Sequence, residues 1–140
     1  MPAEFNVLFV CQHGAAKSVI AARHLEALAQ ARGLVVRAAS AGLEPDESVP
    51  PHVVAGLRSD GVEDQVHAPR AISGELLATA DLVVAFGCDL PAFPDVAKPM
   101  IQLTGVPAVS DGYDAARAAI LARLPAVLDE AERLAAEQTD

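Results

Sequence analysis

Eight consecutive residues, Cys11-Gln12-His13-Gly14-Ala15-Ala16-Lys17-Ser18, set a thiol, a cation and a hydroxyl around a run of small side chains. Gly14, Ala15 and Ala16 leave room for the backbone to turn its N–H groups inward. A helical pattern follows, and the first N–H groups of a helix have no partner within it. Amides converging from a loop and a helix N-terminus form a concave nest for a tetrahedral oxyanion. Gln12, His13, Gly14, Ala15, Ala16, Lys17 and Ser18 are the residues expected to hold that anion. The same amides and the Lys17 ammonium favour the thiolate of Cys11 over its thiol. A thiolate beneath a bound oxyanion is placed to attack phosphorus or arsenic. The competing reading is structural, since a free Cys at a strand end is often a small, inert core residue. A Cys, five residues, a cation and a hydroxyl, in that order between a strand and a helix, favour the chemical reading.

The elements that must position these groups can be read around them. Phe5 to Val10 reads as a buried parallel strand that delivers Cys11 at its C-terminal end. A helix from Lys17 or Ser18 to about Arg32 carries Val19, Ile20, Ala22, Leu25 and Leu28 on its apolar face, and Gly33 suits its C-terminal stop. His24 on that helix reads as structural. Leu34 to Ser40 is expected to be the second strand, ended by Ser40-Ala41-Gly42. A loop with Pro45, Pro50 and Pro51 follows and is expected to form one wall of the site. Pro50 and Pro51 open a second helix that stops at Gly61, with His52 expected on its surface.

Val66 to Ile72, including His67-Ala68-Pro69-Arg70, reads as extended, with Arg70 solvated or ion-paired. Ser73 is placed to cap a short helix from Gly74 to Ala80. Asp81 to Phe86 is the third strand, ending in Gly87-Cys88, and Met100 to Leu103 the fourth. From Tyr113 an Ala-rich helix runs onward, with a kink or restart expected at Pro125. Alternating strands and helices predict an α/β fold: a four-stranded parallel sheet in a flavodoxin-like three-layer sandwich, with helices on both faces. Ligands in such sheets sit beyond the strand C-terminal ends at the topological switch point, where Cys11 and Cys88 both fall.

Composition bounds the rest. A chain of 140 residues with 52 % hydrophobic residues suits one domain with a single core, here residues 1–140. The absence of a signal-peptide pattern and of any membrane-length apolar run predicts a cytoplasmic protein that binds no membrane. Two cysteines are too few for a disulfide framework. A net charge of −9 argues against nucleic-acid binding. Cys11, His13 and Cys88 lack the paired spacing of a structural zinc site, so no metal is expected. The Ala-rich last helix fits either a monomer or a dimer.

The stretch Cys11 to Ser18 resembles the signature of the low-molecular-weight protein tyrosine phosphatase family, which includes thioredoxin- and mycothiol-coupled arsenate reductases. The family pattern is Cys, five residues, Arg, then Ser or Thr. The resemblance implies that Cys11 is the nucleophile and that Ser18 stabilises its thiolate. Gly14 stands where the family often has a loop-holding Asn, and Lys17 stands where it has Arg. Arg grips two oxyanion oxygens with a planar fork, whereas Lys is a flexible point charge. Ser40-Ala41-Gly42 and the stretch Asp81 to Cys88 extend the likeness over most of the chain.

In phosphatases of that family an Asp before a Pro protonates the leaving oxygen. By the position of Pro107, the matching residue here is Val106, which carries no proton. Asp111 is the substitute acid if the loop folds differently; its other reading is a cap on the last helix. Arsenate reduction asks less of an acid, because a second thiol attacks the Cys–arsenic adduct. Cys88 is the one further thiol, and Pro91, Ala92 and Phe93 stand where arsenate reductases commonly carry another. These features lean towards an arsenate reductase-like enzyme over a tyrosine phosphatase, acting on a small oxyanion or phosphomonoester. No bound cofactor is expected, and an external thiol or a redoxin partner would complete the cycle. The alternatives are an oxyanion-binding pseudo-phosphatase and a redox sensor in which Cys11 and Cys88 pair.

Overall fold

The computed structural model describes residues 4–62, 68–88 and 98–138. Four strands form one parallel sheet in the order β2-β1-β3-β4: β1 (Phe5–Cys11), β2 (Val36–Gly42), β3 (Leu82–Ala85) and β4 (Met100–Gln102). The helices are α1 (Lys17–Ala31), α2 (Pro51–Ser59), α3 (Gly74–Thr79) and α4 (Tyr113–Gln138). This is the α/β architecture expected from the alternation of elements. The chain reverses direction across the sheet between β1 and β3, which makes the C-terminal end of β1 the switch point.

Strand β1 decides both cores. Its side chains alternate across the sheet, so Phe5, Val7, Phe9 and Cys11 face one cluster while Leu8 and Val10 face another. The larger cluster is filled from α1 by Ile20 and Leu25, from α2 by Val53 and Leu57, and from α4 by Ile120, Leu124 and Leu128. The smaller one lies under α3, with Leu77 and Ala80. Ser73 accepts from the Leu76 amide at 3.1 Å and starts α3 as expected.

Beyond one-residue shifts at the ends of elements, three features differ from the sequence reading. Strand β2 begins at Val36, not Leu34, because α1 uses the intervening residues to close itself. Gly33 takes φ 72° and donates to Gln30, while the Leu34 amide donates to the Ala29 carbonyl at 2.9 Å. The strand then runs on through Gly42, which both pairs with Cys11 and bridges Ala71. Helix α4 continues through Pro125 without restarting. Pro125 is exposed, so the carbonyl it frees is on the solvent side.

A polar cluster ties three helices together. Asp60 Oδ2, at the end of α2, accepts from Arg117 Nε of α4 at 2.7 Å and lies 3.1 Å from His24 Nε2 of α1. The Arg117 hydrogen bond holds the Asp60 carboxyl below the usual carboxylate range. Burial lowers the His24 imidazole, and the Asp60 charge opposes that only in part. His24 is therefore structural, as its place in the helix implied.

Candidate functional site

Strand β1 ends on Cys11, which is buried on the face of the larger cluster. The loop that follows turns at Gly14, with φ 61°. Its back rests on β2, where a Cβ at Gly42 would lie 2.5 Å from the Gly14 nitrogen. Two glycines are thus needed for two backbones to cross. The Cys11, Gln12 and His13 carbonyls point outward and accept from the Leu43, Glu44 and Asp46 amides at 3.2, 2.8 and 3.1 Å. Peptide planarity turns the next N–H groups, of Gln12, His13 and Gly14, to the opposite side. No N–H from Gln12 to Ser18 donates to a backbone carbonyl among the described residues. Helix α1 starts at Lys17 without a side-chain cap. The donors of a loop and a helix N-terminus therefore remain for an anion.

Ser18 is fully buried, the one polar residue so placed among the described residues. Its Oγ lies 3.0 Å from Cys11 Sγ. A buried hydroxyl left unpaired costs about 1–3 kcal/mol, and here sulfur is its partner. When Cys11 is a thiolate, the hydroxyl is the donor.

Cys11, Gln12, His13, Ala15, Ala16 and Lys17 line one cleft of about 340 Å³. Gly14 and Ser18 support it from behind. Lys17 Nζ donates to the Val106 carbonyl at 3.0 Å, across to the loop before α4. That loop lines the cleft with Ala108, Val109 and Ser110. Asp111 stands outside the lining, exposed, at the end of a 3-10 turn over Val109–Asp111. The expectation that it caps the last helix is corrected: Gly112 precedes α4, and its carbonyl accepts from Ala116.

The loop after β2 forms the opposite wall, as expected, and it brings one residue, Asp46, that was not singled out from the sequence. Asp46 and Pro50 line the cleft, and His52, expected on the surface, is exposed there. Nothing local marks Asp46; it is drawn in by its own amide bonding to the His13 carbonyl. Phe86, just past β3, completes the lining. Cys88 packs with the smaller cluster, and its Sγ donates to the Val10 carbonyl at 3.7 Å. The two cysteines are set against clusters on opposite faces of the sheet. Arg70 stands apart from the cleft, its Nε donating to the Ser40 carbonyl at 3.4 Å. His67 and the stretch Pro91 to Phe93 lie outside the described residues.

No curated protein matches the chain in sequence. Among solved structures it is similar to a thioredoxin-dependent arsenate reductase of Corynebacterium glutamicum, at 24 % identity and TM-score 0.70, over 91 % of this chain. It spans 62 % of that relative's length. It is also similar to a low molecular weight protein tyrosine phosphatase from T. tengcongensis, at 22 % identity and TM-score 0.78, over 90 % of this chain and 99 % of that one. A Drosophila arginine phosphatase aligns at 22 % identity and TM-score 0.73, over 89 % of this chain and 96 % of that one. These likenesses establish the fold. The family model for low molecular weight phosphotyrosine protein phosphatase matches residues 6–90, from β1 through the loop after β3, and the chain belongs to that family.

Proposed function

We propose that this protein hydrolyses a phosphomonoester through a phosphocysteine at Cys11. The loop amides and Lys17 receive the oxyanion, and Ser18 steadies the thiolate. One observation carries the reading: the fully buried Ser18 hydroxyl is committed to the Cys11 sulfur, beside amides that no backbone carbonyl among the described residues uses. Asp46, His13 and His52 in the same cleft supply groups able to move protons, which a phosphoester needs and a bare anion sensor does not.

An aryl phosphate assay tests it. Cys11→Ser abolishes turnover, and activity unchanged by that substitution overturns the reading. Lys17→Arg supplies a planar fork that can grip two oxygens, and one further charge-assisted bond is worth about 1.5–3 kcal/mol, or roughly 10–100-fold in kcat/KM. Phosphate binding by calorimetry with no turnover in either protein instead identifies a pseudo-phosphatase.

Arsenate reduction is the second reading, favoured by Val106 at the position of the family's acid. Cys11 attacks arsenate, and a second thiol releases arsenite. Cys88 packs against the opposite face from Cys11, so the reductant in this reading is an external thiol or a redoxin. It is tested by thiol-dependent arsenite release. A Cys11–Cys88 disulfide after mild peroxide, found by mass spectrometry in a chain without turnover, identifies the redox sensor.

A further inference from the structure

We propose that His13 is the proton donor to the leaving group, so that the acid has moved from the loop before α4 into the nucleophile's own loop. The inference rests on the phosphomonoester reading above. The loop before α4 brings Ala108, Val109 and Ser110 to the cleft and no carboxylate, while Asp111 stands outside it. The side chains in the cleft that titrate, besides Cys11 and Lys17, are His13, Asp46 and His52.

Of these, His13 is held in a defined orientation. Its Nδ1 lies 3.1 Å from the Glu44 carbonyl and 3.5 Å from Asp46 Oδ1. A carbonyl only accepts, so Nδ1 carries the hydrogen and Nε2 is the nitrogen that gains or gives a proton. Both acceptors are themselves fixed to the loop. The Glu44 and Asp46 amides donate to the Gln12 and His13 carbonyls, and Gln12 Nε2 donates to Glu44 Oε1 at 2.9 Å. His13 is thus oriented by a carbonyl and a carboxylate, the arrangement that fits an imidazole for proton transfer. Its side chain is 58 % exposed, which puts it at the rim, where a leaving group exits, while sulfur and phosphorus meet below.

The charged and titratable groups around it are Cys11 and Lys17 of its own loop and α1, Glu44 and Asp46 of the opposite wall, and His52 of α2. In the first step Cys11 Sγ bonds phosphorus, the P–O bond to the alcohol breaks, and the proton on His13 Nε2 goes to the leaving oxygen. In the second, neutral His13 takes a proton from water as its oxygen attacks phosphorus. The S–P bond breaks, phosphate leaves, and thiolate and imidazolium are restored.

The test is a series of aryl phosphates whose leaving groups run from dinitrophenol to phenol. His13→Gln, checked for native circular dichroism and retained phosphate binding, loses roughly 10²–10⁴-fold in kcat/KM on phenyl phosphate. The deficit narrows steadily as the leaving group becomes a weaker base. Asp46 is a positioning residue: Asp46→Asn loses part of the same activity, more on phenyl phosphate than on dinitrophenyl phosphate, while phosphate binding is retained. An equal deficit across the series overturns the proposal, as does a leaving-group-dependent deficit in His52→Gln but not in His13→Gln. Wild-type turnover of none of these esters, or turnover indifferent to Cys11→Ser, fells the phosphomonoester reading itself and this proposal with it.

Discussion

Ser18 shows how one hydroxyl joins fold to chemistry. It sits on the buried side of α1 among Val19, Ile20 and Ala22, where an apolar residue would pack as well. Its hydroxyl has one partner, Cys11 Sγ at 3.0 Å. Replacing it by Ala removes the donor that a Cys11 thiolate would use in the proposed reaction, worth about 1.5–3 kcal/mol. Ser18→Ala is expected to lower kcat/KM by roughly 10–100-fold and to slow alkylation of Cys11 by iodoacetamide at neutral pH. The urea midpoint should hold or rise, because Ala is the stronger helix former and leaves no unpaired hydroxyl. Both groups of this pair were legible from the sequence, because they lie in one short motif. Lys17 was legible as a cation near the site, but its partner, the Val106 carbonyl, lies 89 residues away.

The elements contribute rigidity where the loop needs it. The Cys11 loop is held from behind by three backbone hydrogen bonds from the loop after β2 and by the crossing of Gly14 over Gly42 at the end of β2. An added Cβ at Gly42 meets the Gly14 nitrogen at 2.5 Å and the His13 carbonyl carbon at 2.6 Å, both backbone atoms that cannot rotate aside. Gly42→Ala is expected to cost about 1–3 kcal/mol, read as a lower urea midpoint, and to weaken phosphate binding as the loop is displaced. The outer edge of β2 is closed by side chains: the Ala38 amide donates to Glu26 Oε2 at 2.8 Å, and its carbonyl accepts from Arg23 Nη2 at 2.7 Å. Such covering keeps an edge strand from pairing with another chain. Hydrophobic patterning located β2 but not its limits, since its first residues are claimed by the α1 stop and its last by the loop crossing.

Across the whole molecule, the His24–Asp60–Arg117 cluster fastens α1, α2 and α4 into the layer packed on the Cys11 face of the sheet. Both shifted acids in it bind protons less well when folded, so the unfolded chain takes up more protons on acidification. His24 therefore contributes stability above about pH 6.5 that is lost as pH falls towards its lower native value. Asp60 contributes stability that is lost below about pH 4, as its carboxylate is protonated. Urea midpoints should fall in two steps from pH 7 to 3, and His24→Gln should remove the upper step at a cost of about 1 kcal/mol at neutral pH. No helix among the described residues is long and apolar enough to cross a membrane. The order of strands and helices, the parallel sheet and the Cys11 loop follow from residue spacing alone, because alternation, capping and a strand-to-helix turn are local properties. Which groups surround the sulfur was decided only by tertiary packing. Asp46 and His52 reach the cleft because the loop after β2 folds over the Cys11 loop. Cys88 is turned away because the chain leaves β3 through Gly87 at φ 65°, which breaks the alternation that would have set it beside Phe86.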